Sequence, residues 1–254
     1  IPVPTATATM TPDRRLGQAP PPPISGDLAL SSRVGQLFLG GMVRRGFPAV
    51  WCESESASQD REVDTLFRTG YKLVEAERSD LALDGLTALL ERLLKTVAAD
   101  LSADLLGGRQ ITRLDRMIHT DHPCLTYRQA LDVLAGKGWA IPFGDDLHPE
   151  ADATLSRHCG NLPVLVTRFP AEVKFFNTRR DARDGAVSHS VEYILPYAGA
   201  TVDGSARADA PPRAGFGLSV ARLLQYLMGL EVVDDALVHP LAMTGRMTGA
   251  VQNP

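Results

Sequence analysis

The chain has 254 residues, 44% of them hydrophobic, and carries 26 Lys and Arg against 30 Asp and Glu for a formal net charge of −4; that length buries a substantial core, with one large domain as the default. The acidic balance argues against a surface built mainly for nucleic acid, which needs clustered cations to displace counterions. Three widely spaced cysteines, Cys52, Cys124 and Cys159, fit a reducing compartment better than a disulfide framework, and with no apolar run near the roughly 18–20 residues that cross a bilayer a cytoplasmic location is expected.

Residues 1–27 are rich in Pro, Ala and Thr and read as a strand entering a proline-rich loop; residues 28–254 read as one domain. Within RRGFPAVWCES, residues Val50, Trp51 and Cys52 suit a pleated surface. A returning strand is expected over 66–77, with Tyr71, Leu73 and Glu75 on one face and Lys72, Val74 and Ala76 on the other. Between Leu81 and Leu101 the apolar residues recur at three and four, the period of a helix against a core. TYRQALDVLAGKG reads as a second helix, capped by Thr126 and ended by Gly136 or Gly138. NLPVLVTRFP reads as a buried strand and VSHSVEYILPYAGATVDGSARAD as two more. AGFGLSVARLLQYLMGL then runs from a glycine-rich strand into a helix. The sum is an α+β fold, a mainly antiparallel sheet flanked by helices.

Glycines weaken a strand unless something must approach its backbone, and an Arg at the following helix offers a phosphate a fork of donors. By themselves Gly215, Gly217 and Arg222 read first as tight strand-to-helix packing with an Arg that snorkels or pairs with a carboxylate, with a ligand site as the alternative. HTDHPC holds His119, His122 and Cys124, but a zinc site needs a fourth ligand that is not nearby, so a polar loop is expected. His148 and His158 read as surface residues, Asp145 and Asp146 as a carboxylate pair or a helix cap. Arg179, Arg180 and Arg183, followed by Asp184, read as a solvated hairpin loop, with contact to a polyanion as the alternative.

Four segments, in order, carry a likeness: TYRQALDVLAGKGWAIPFGDDLHPEAD, LPVLVTRFPAEVKFFNTR, VEYILPYAGATVDGSAR and AGFGLSVARLLQYLMGLEVVDD. Together with the weaker hairpin at 47–77 they resemble the catalytic core of class II aminoacyl-tRNA synthetases, aspartyl/asparaginyl branch, across about residues 28–240. The resemblance implies ATP and Mg2+ as cofactors. Arg222 takes the place of the Arg that grips the terminal phosphate of ATP, and Glu192 that of a metal-binding Asp, both hard oxygen ligands. Arg207 matches the Arg that reads the side-chain carboxyl or amide of the amino acid, a natural bidentate pairing. Gln36 and Lys174 fall at the amino-acid pocket, with Asn177 where a tyrosine is expected. Glu75 and Glu77 match a paired-acid strand.

There are departures from the pattern. The second metal-binding acid is replaced by Ala200, with Asp203 as the substitute ligand. The second motif, Phe-Arg-x-Glu, reads Cys52-Glu53-Ser54-Glu55; Glu55 keeps the nucleotide-binding acid, but Glu53 replaces the phosphate-binding Arg. Like charges about 4 Å apart repel by roughly 4 kcal/mol at an effective dielectric near 20, so Arg61 or Arg68 is expected to take over. Ala221 replaces a Glu before Arg222.

The implied function is ATP-dependent activation of an aspartate-like acid as an acyl adenylate and its transfer to ammonia or an amine. It would be a stand-alone, asparagine synthetase-like homodimer in specialised metabolism, without anticodon recognition or membrane contact. The alternatives are a degenerate paralog that acts as a binding or accessory protein, and an acyltransferase using a preactivated donor.

Overall fold

The computed structural model describes residues 35–56, 71–101 and 105–237. The proline-rich segment 1–27, most of the hairpin loop, and both Arg61 and Arg68 lie outside them. In chain order the elements are α1 (Gly35–Arg44), β1 (Ala49–Ser56), β2 (Tyr71–Ser79), α2 (Leu83–Ala99), α3 (Gly108–His119), β3 (Cys124–Thr126), α4 (Tyr127–Ala135), α5 (Pro149–His158), β4 (Val164–Thr167), β5 (Ser190–Leu195), β6 (Gly199–Ala206), β7 (Arg213–Ser219) and α6 (Val220–Met228). Among the described residues one sheet runs in the order β1-β2-β7-β6-β5-β4-β3. Every neighbouring pair is antiparallel except β3 and β4, which bears out the expected mainly antiparallel α+β architecture.

Side chains alternate across a pleated strand, and the registers sort them into two unlike faces. Val74 pairs with Leu218 and Ala76 with Phe216 on one face, whereas Glu75 pairs with Gly217 and Glu77 with Gly215 on the other. The apolar face packs on α2, whose buried Leu86, Leu90 and Leu94 fall at helical spacing, and on Leu114 and Met117 of α3 and Tyr226 and Leu227 of α6. Each such side chain removed from water contributes about 1.5–3 kcal/mol. The helix α3 is an element that the sequence reading lacks, although Ile111, Leu114, Met117 and Ile118 fall at helical spacing; Leu114 and Met117 are its buried residues.

Among the described helices, α1 covers one end of the opposite face and α4 and α5 the other. Over β1 and β2, α1 buries Leu39 and Val43 against Val50 and Cys52. At the far end Tyr127 and Leu134 of α4 and Leu155 of α5 pack on Val164, Val166 and Ile194. The start of α4 is as expected: the Thr126 side chain accepts from the Gln129 backbone N–H in a capping box, and Gly136 is the C-cap. Between these two lids lies the stretch of floor where the chemistry-bearing residues collect, among them the buried Glu75, Glu77 and Glu192.

Candidate active site

A cavity of about 500 Å³ opens over that floor. Leu73 and Glu75 of β2, Gly217 and Ser219 of β7, Asp203 and Ser205 of β6 and Glu192 of β5 form its base; Gln36, Asp146, Lys174 and Arg222 stand around it. The two strand glycines now have separate reasons. A Cβ on Gly215 would sit 2.0 Å from Glu77 Oε2 and 2.8 Å from Arg207 Nη2, so the glycine makes room for that ion pair. At Gly217 the nearest atom is Glu75 Cγ, 4.0 Å away, so this glycine keeps the cavity floor open.

The ion pair is deeply set. The Glu77 side chain has no exposure, and its carboxylate lies 2.8 Å from Arg207 Nη2 and 3.0 Å from Arg213 Nε. Arg207 also donates from Nε to Glu77, from Nη1 to Ser205 Oγ at 2.7 Å, and from Nη2 to Gln36 Oε1 at 2.5 Å. The expected reader of the substrate acid is therefore largely committed to protein partners. What remains open beside it is Gln36 Nε2, a buried donor that has no partner among the described residues.

Farther along the floor Lys174, Glu192 and Asp203 meet. Lys174 Nζ is 2.5 Å from Glu192 Oε1 and 3.2 Å from Asp203 Oδ2. Burial works against the ammonium, but Asp203 and Glu192 outweigh it and raise its pKa. Burial pushes Glu192 up to about 7, the neighbouring Asp203 and Asp146 adding to it against the Lys174 charge. The two acids expected to hold Mg2+ thus already share a cation from the chain itself. A resident divalent ion needs several oxygens at one point, and no cluster of three His, Cys, Asp or Glu suited to a metal occurs among the described residues. The residues present do not fit a resident Mg2+.

Arg222 stands at the start of α6, where Ser219 Oγ caps the helix by accepting from its backbone N–H. Its guanidinium lines the cavity and donates from Nη1 to the carbonyl of Ala200. The N–H of that same residue donates to Asp152 Oδ2 at 3.1 Å. Asp152 is buried on α5, and desolvation, with the Glu192 charge adding to it, pushes its carboxyl up to about 8. A chain of contacts thus runs from Asp152 through the Ala200 peptide to Arg222. Sequence reasoning missed Asp152, which reads there as one more acid in the first turn of a helix.

The other expected residues divide. Asp146 lines the cavity; Asn177 does not, although Phe175 and Thr178 on either side of it do. The backbone of Glu55 pairs with Lys72 in the β1–β2 ladder. Glu53 shares the face of its partner Val74, opposite to Glu75, and is 2.6 Å from Lys72 Nζ. The expected repulsion between Glu53 and a phosphate therefore does not arise on the cavity floor. His122 is buried and bonds the Tyr193 hydroxyl and the Met117 carbonyl, while His119 contacts Asp115. The two histidines serve separate local contacts, and the expected polar loop HTDHPC is instead the end of α3 at His119, a buried His122 and the start of β3 at Cys124.

Floor, cavity and order of strands define a fold class: the fold is that of the class II aminoacyl-tRNA synthetase catalytic core, a mainly antiparallel sheet with its pocket over the glycine-rich β7. The proteins it is similar to are asparaginyl- and aspartyl-tRNA synthetases. Mouse asparaginyl-tRNA synthetase is 26% identical over 215 residues, 67% of this chain and 45% of that protein. The probable cytoplasmic asparagine--tRNA ligase of Encephalitozoon cuniculi is 25% identical over 255 residues, 85% of this chain and 56% of that protein. Asparaginyl-tRNA synthetase from Pyrococcus horikoshii, complexed with asparaginyl-adenylate, superposes with a TM-score of 0.71 at 22% identity, over 83% of this chain and 56% of that one. No family model matches the chain. The chain spans about half the length of the curated relatives it matches.

Proposed function

We propose that the protein activates a small aspartate-like carboxylic acid as its acyl adenylate and passes the acyl group to ammonia or an amine. The observation that carries this is the placement of Arg222, a permanent cation among the charged side chains that line a cavity in a fold whose solved neighbours include two complexed with asparaginyl-adenylate. A carboxylate is a poor electrophile; attack of its oxygen on the α-phosphorus of ATP releases pyrophosphate and leaves a carbon that an amine attacks, releasing AMP. The departing polyphosphate gathers negative charge, and a preorganised guanidinium stabilises charge that develops there. Gln36 Nε2 and the remaining Nη1 hydrogen of Arg207 are the donors available to the acid. Glu75 and Asp146 face the same cavity and suit a substrate ammonium. Asp152 acts on Arg222 through the Ala200 peptide as a positioning residue. Mg2+ has no assigned ligands in this proposal, and no step passes through it.

The test is pyrophosphate exchange and AMP release by the purified protein with aspartate, asparagine and related acids. Exchange with one of these acids, lost in Arg222→Gln, supports the reading; no exchange with any of them overturns it. A second reading, a core that binds a metabolite without activating it, is favoured by Ala200 at a metal-ligand position. Calorimetry separates the two, since binding of the acid without binding of ATP fits only the second.

A further inference from the structure

We infer that the cavity carries its own cation, the Lys174 ammonium, at the point where the aspartyl/asparaginyl synthetase pattern calls for a divalent metal, and that it takes anionic ligands without a resident metal ion. The inference deepens the reading above, at the same site, but its test measures metal binding and does not depend on catalysis.

Three observations converge. The first is substitution: of the two acids expected to hold the metal, one is Glu192 and the other is Ala200. A methyl group cannot ligate a hard cation. The second is geometry. Lys174 Nζ contacts Glu192 Oε1 at 2.5 Å and Asp203 Oδ2 at 3.2 Å, and only 6% of the Lys174 side chain is exposed. A buried ammonium is held in place by such partners because leaving it unpaired is costly, so the Glu192 carboxylate, only 11% exposed, is not standing open for an ion from solution, and Asp203, which is 66% exposed, is left as a single solvent-facing acid. The ring of Phe169 lies 4.3 Å from Nζ and adds a cation–π contact on one side. The third is the fate of position 200. Its side chain no longer contributes, but its carbonyl receives the Arg222 guanidinium and its N–H meets Asp152. The place of the missing acid is thus tied to a second fixed cation, and Lys174 and Arg222 both face the cavity.

The consequence concerns ligands. A metal-dependent pocket meets a polyphosphate or carboxylate through an ion that exchanges with solvent; this one meets it through two tethered cations. The experiment uses Mn2+ as the probe and electron paramagnetic resonance of free Mn2+ as the readout, on the whole chain without nucleotide. Wild type is expected to take up no Mn2+ that Glu192→Gln removes. Lys174→Met, shown to be folded by circular dichroism, withdraws the ammonium from between two carboxylates and is expected to bind one equivalent. Its affinity should be about tenfold or more above wild type, and the gain should vanish in Lys174→Met/Glu192→Gln. A wild-type site that binds Mn2+ and loses it in Glu192→Gln overturns the proposal, as does a folded Lys174→Met that gains nothing. Should Lys174→Met not fold, the wild-type and Glu192→Gln titrations decide alone. Failure of pyrophosphate exchange would remove the ligase reading and leave this one standing.

Discussion

Replacing Glu77 with Gln keeps the shape of the side chain and removes its charge. In the folded protein that charge faces two guanidinium groups, Arg207 at 2.8 Å and Arg213 at 3.0 Å, with side-chain exposures of 0% for Glu77, 3% for Arg207 and 4% for Arg213. Arg213 keeps Asp209 as a second partner, but Arg207 retains only neutral ones, Ser205 and Gln36. Removing one partner of a buried ion pair costs about 3–5 kcal/mol, because it strands the other charge away from water. At roughly 2–4 °C per kcal/mol for a domain of this size, the melting temperature should fall by about 10 °C. Urea unfolding followed by circular dichroism measures the difference directly. A matched control is Glu53→Gln, whose partner Lys72 is as close, 2.6 Å, but where both side chains are more than half exposed; exposed pairs contribute about 0–1 kcal/mol. If Glu77→Gln costs no more than Glu53→Gln, the guanidiniums are solvated in the absence of the acid and the network is not a structural keystone.

Asp152→Asn tests the raised carboxyl. Between its unfolded value of 3.8 and its folded value of about 8, the folded state holds a proton that the unfolded state has released, so stability falls as pH rises through that window. The variant should gain stability over wild type at pH 8 and little at pH 4, read as urea midpoints; an equal loss at both refutes the assignment. Gly215→Ala forces a methyl group to within 2.5 Å of the Ala76 carbonyl and should destabilise by about 1–3 kcal/mol, whereas Gly217→Ala should leave the melting temperature unchanged and weaken adenylate binding by calorimetry. Arg222→Gln should reduce pyrophosphate exchange by about 10²–10³ with the melting temperature retained; undiminished exchange would remove Arg222 from the chemistry.

Much of the scaffold was legible because its periods are clean. Leu86, Leu90 and Leu94 repeat at the helical spacing, Val74 and Ala76 alternate against Glu75 and Glu77, and Thr126 and Gln129 form a capping box. Each of these signals is local, so a chain read one window at a time shows it. The third helix carries the same kind of signal, Ile111, Leu114, Met117 and Ile118 at helical spacing with charges between them, and was legible in the same way although the sequence reading passes over it.

The site was legible in its membership and less so in its roles, because a role depends on which groups share a face and which are already paired. Glu53 looks hostile to a phosphate until the β1–β2 register turns it to the opposite face of the sheet. Arg207 reads as a free fork until Glu77, 130 positions away, is seen beneath it. Lys174, Glu192 and Asp203 were all named as site residues, yet nothing in their spacing shows that the first neutralises the other two. Burial pushes the Asp152 carboxyl further from its ordinary value than it does Glu192, yet the sequence context of Asp152 is an ordinary helix start. Pairings of this kind link β2 to the residue that follows β6, and α5 to α6 through the Ala200 peptide, between positions far apart in the chain. A residue's chemistry here is therefore set by the sheet's registers as much as by its own identity, and the substitutions at positions 53 and 200 are intelligible only once those registers say what each side chain faces.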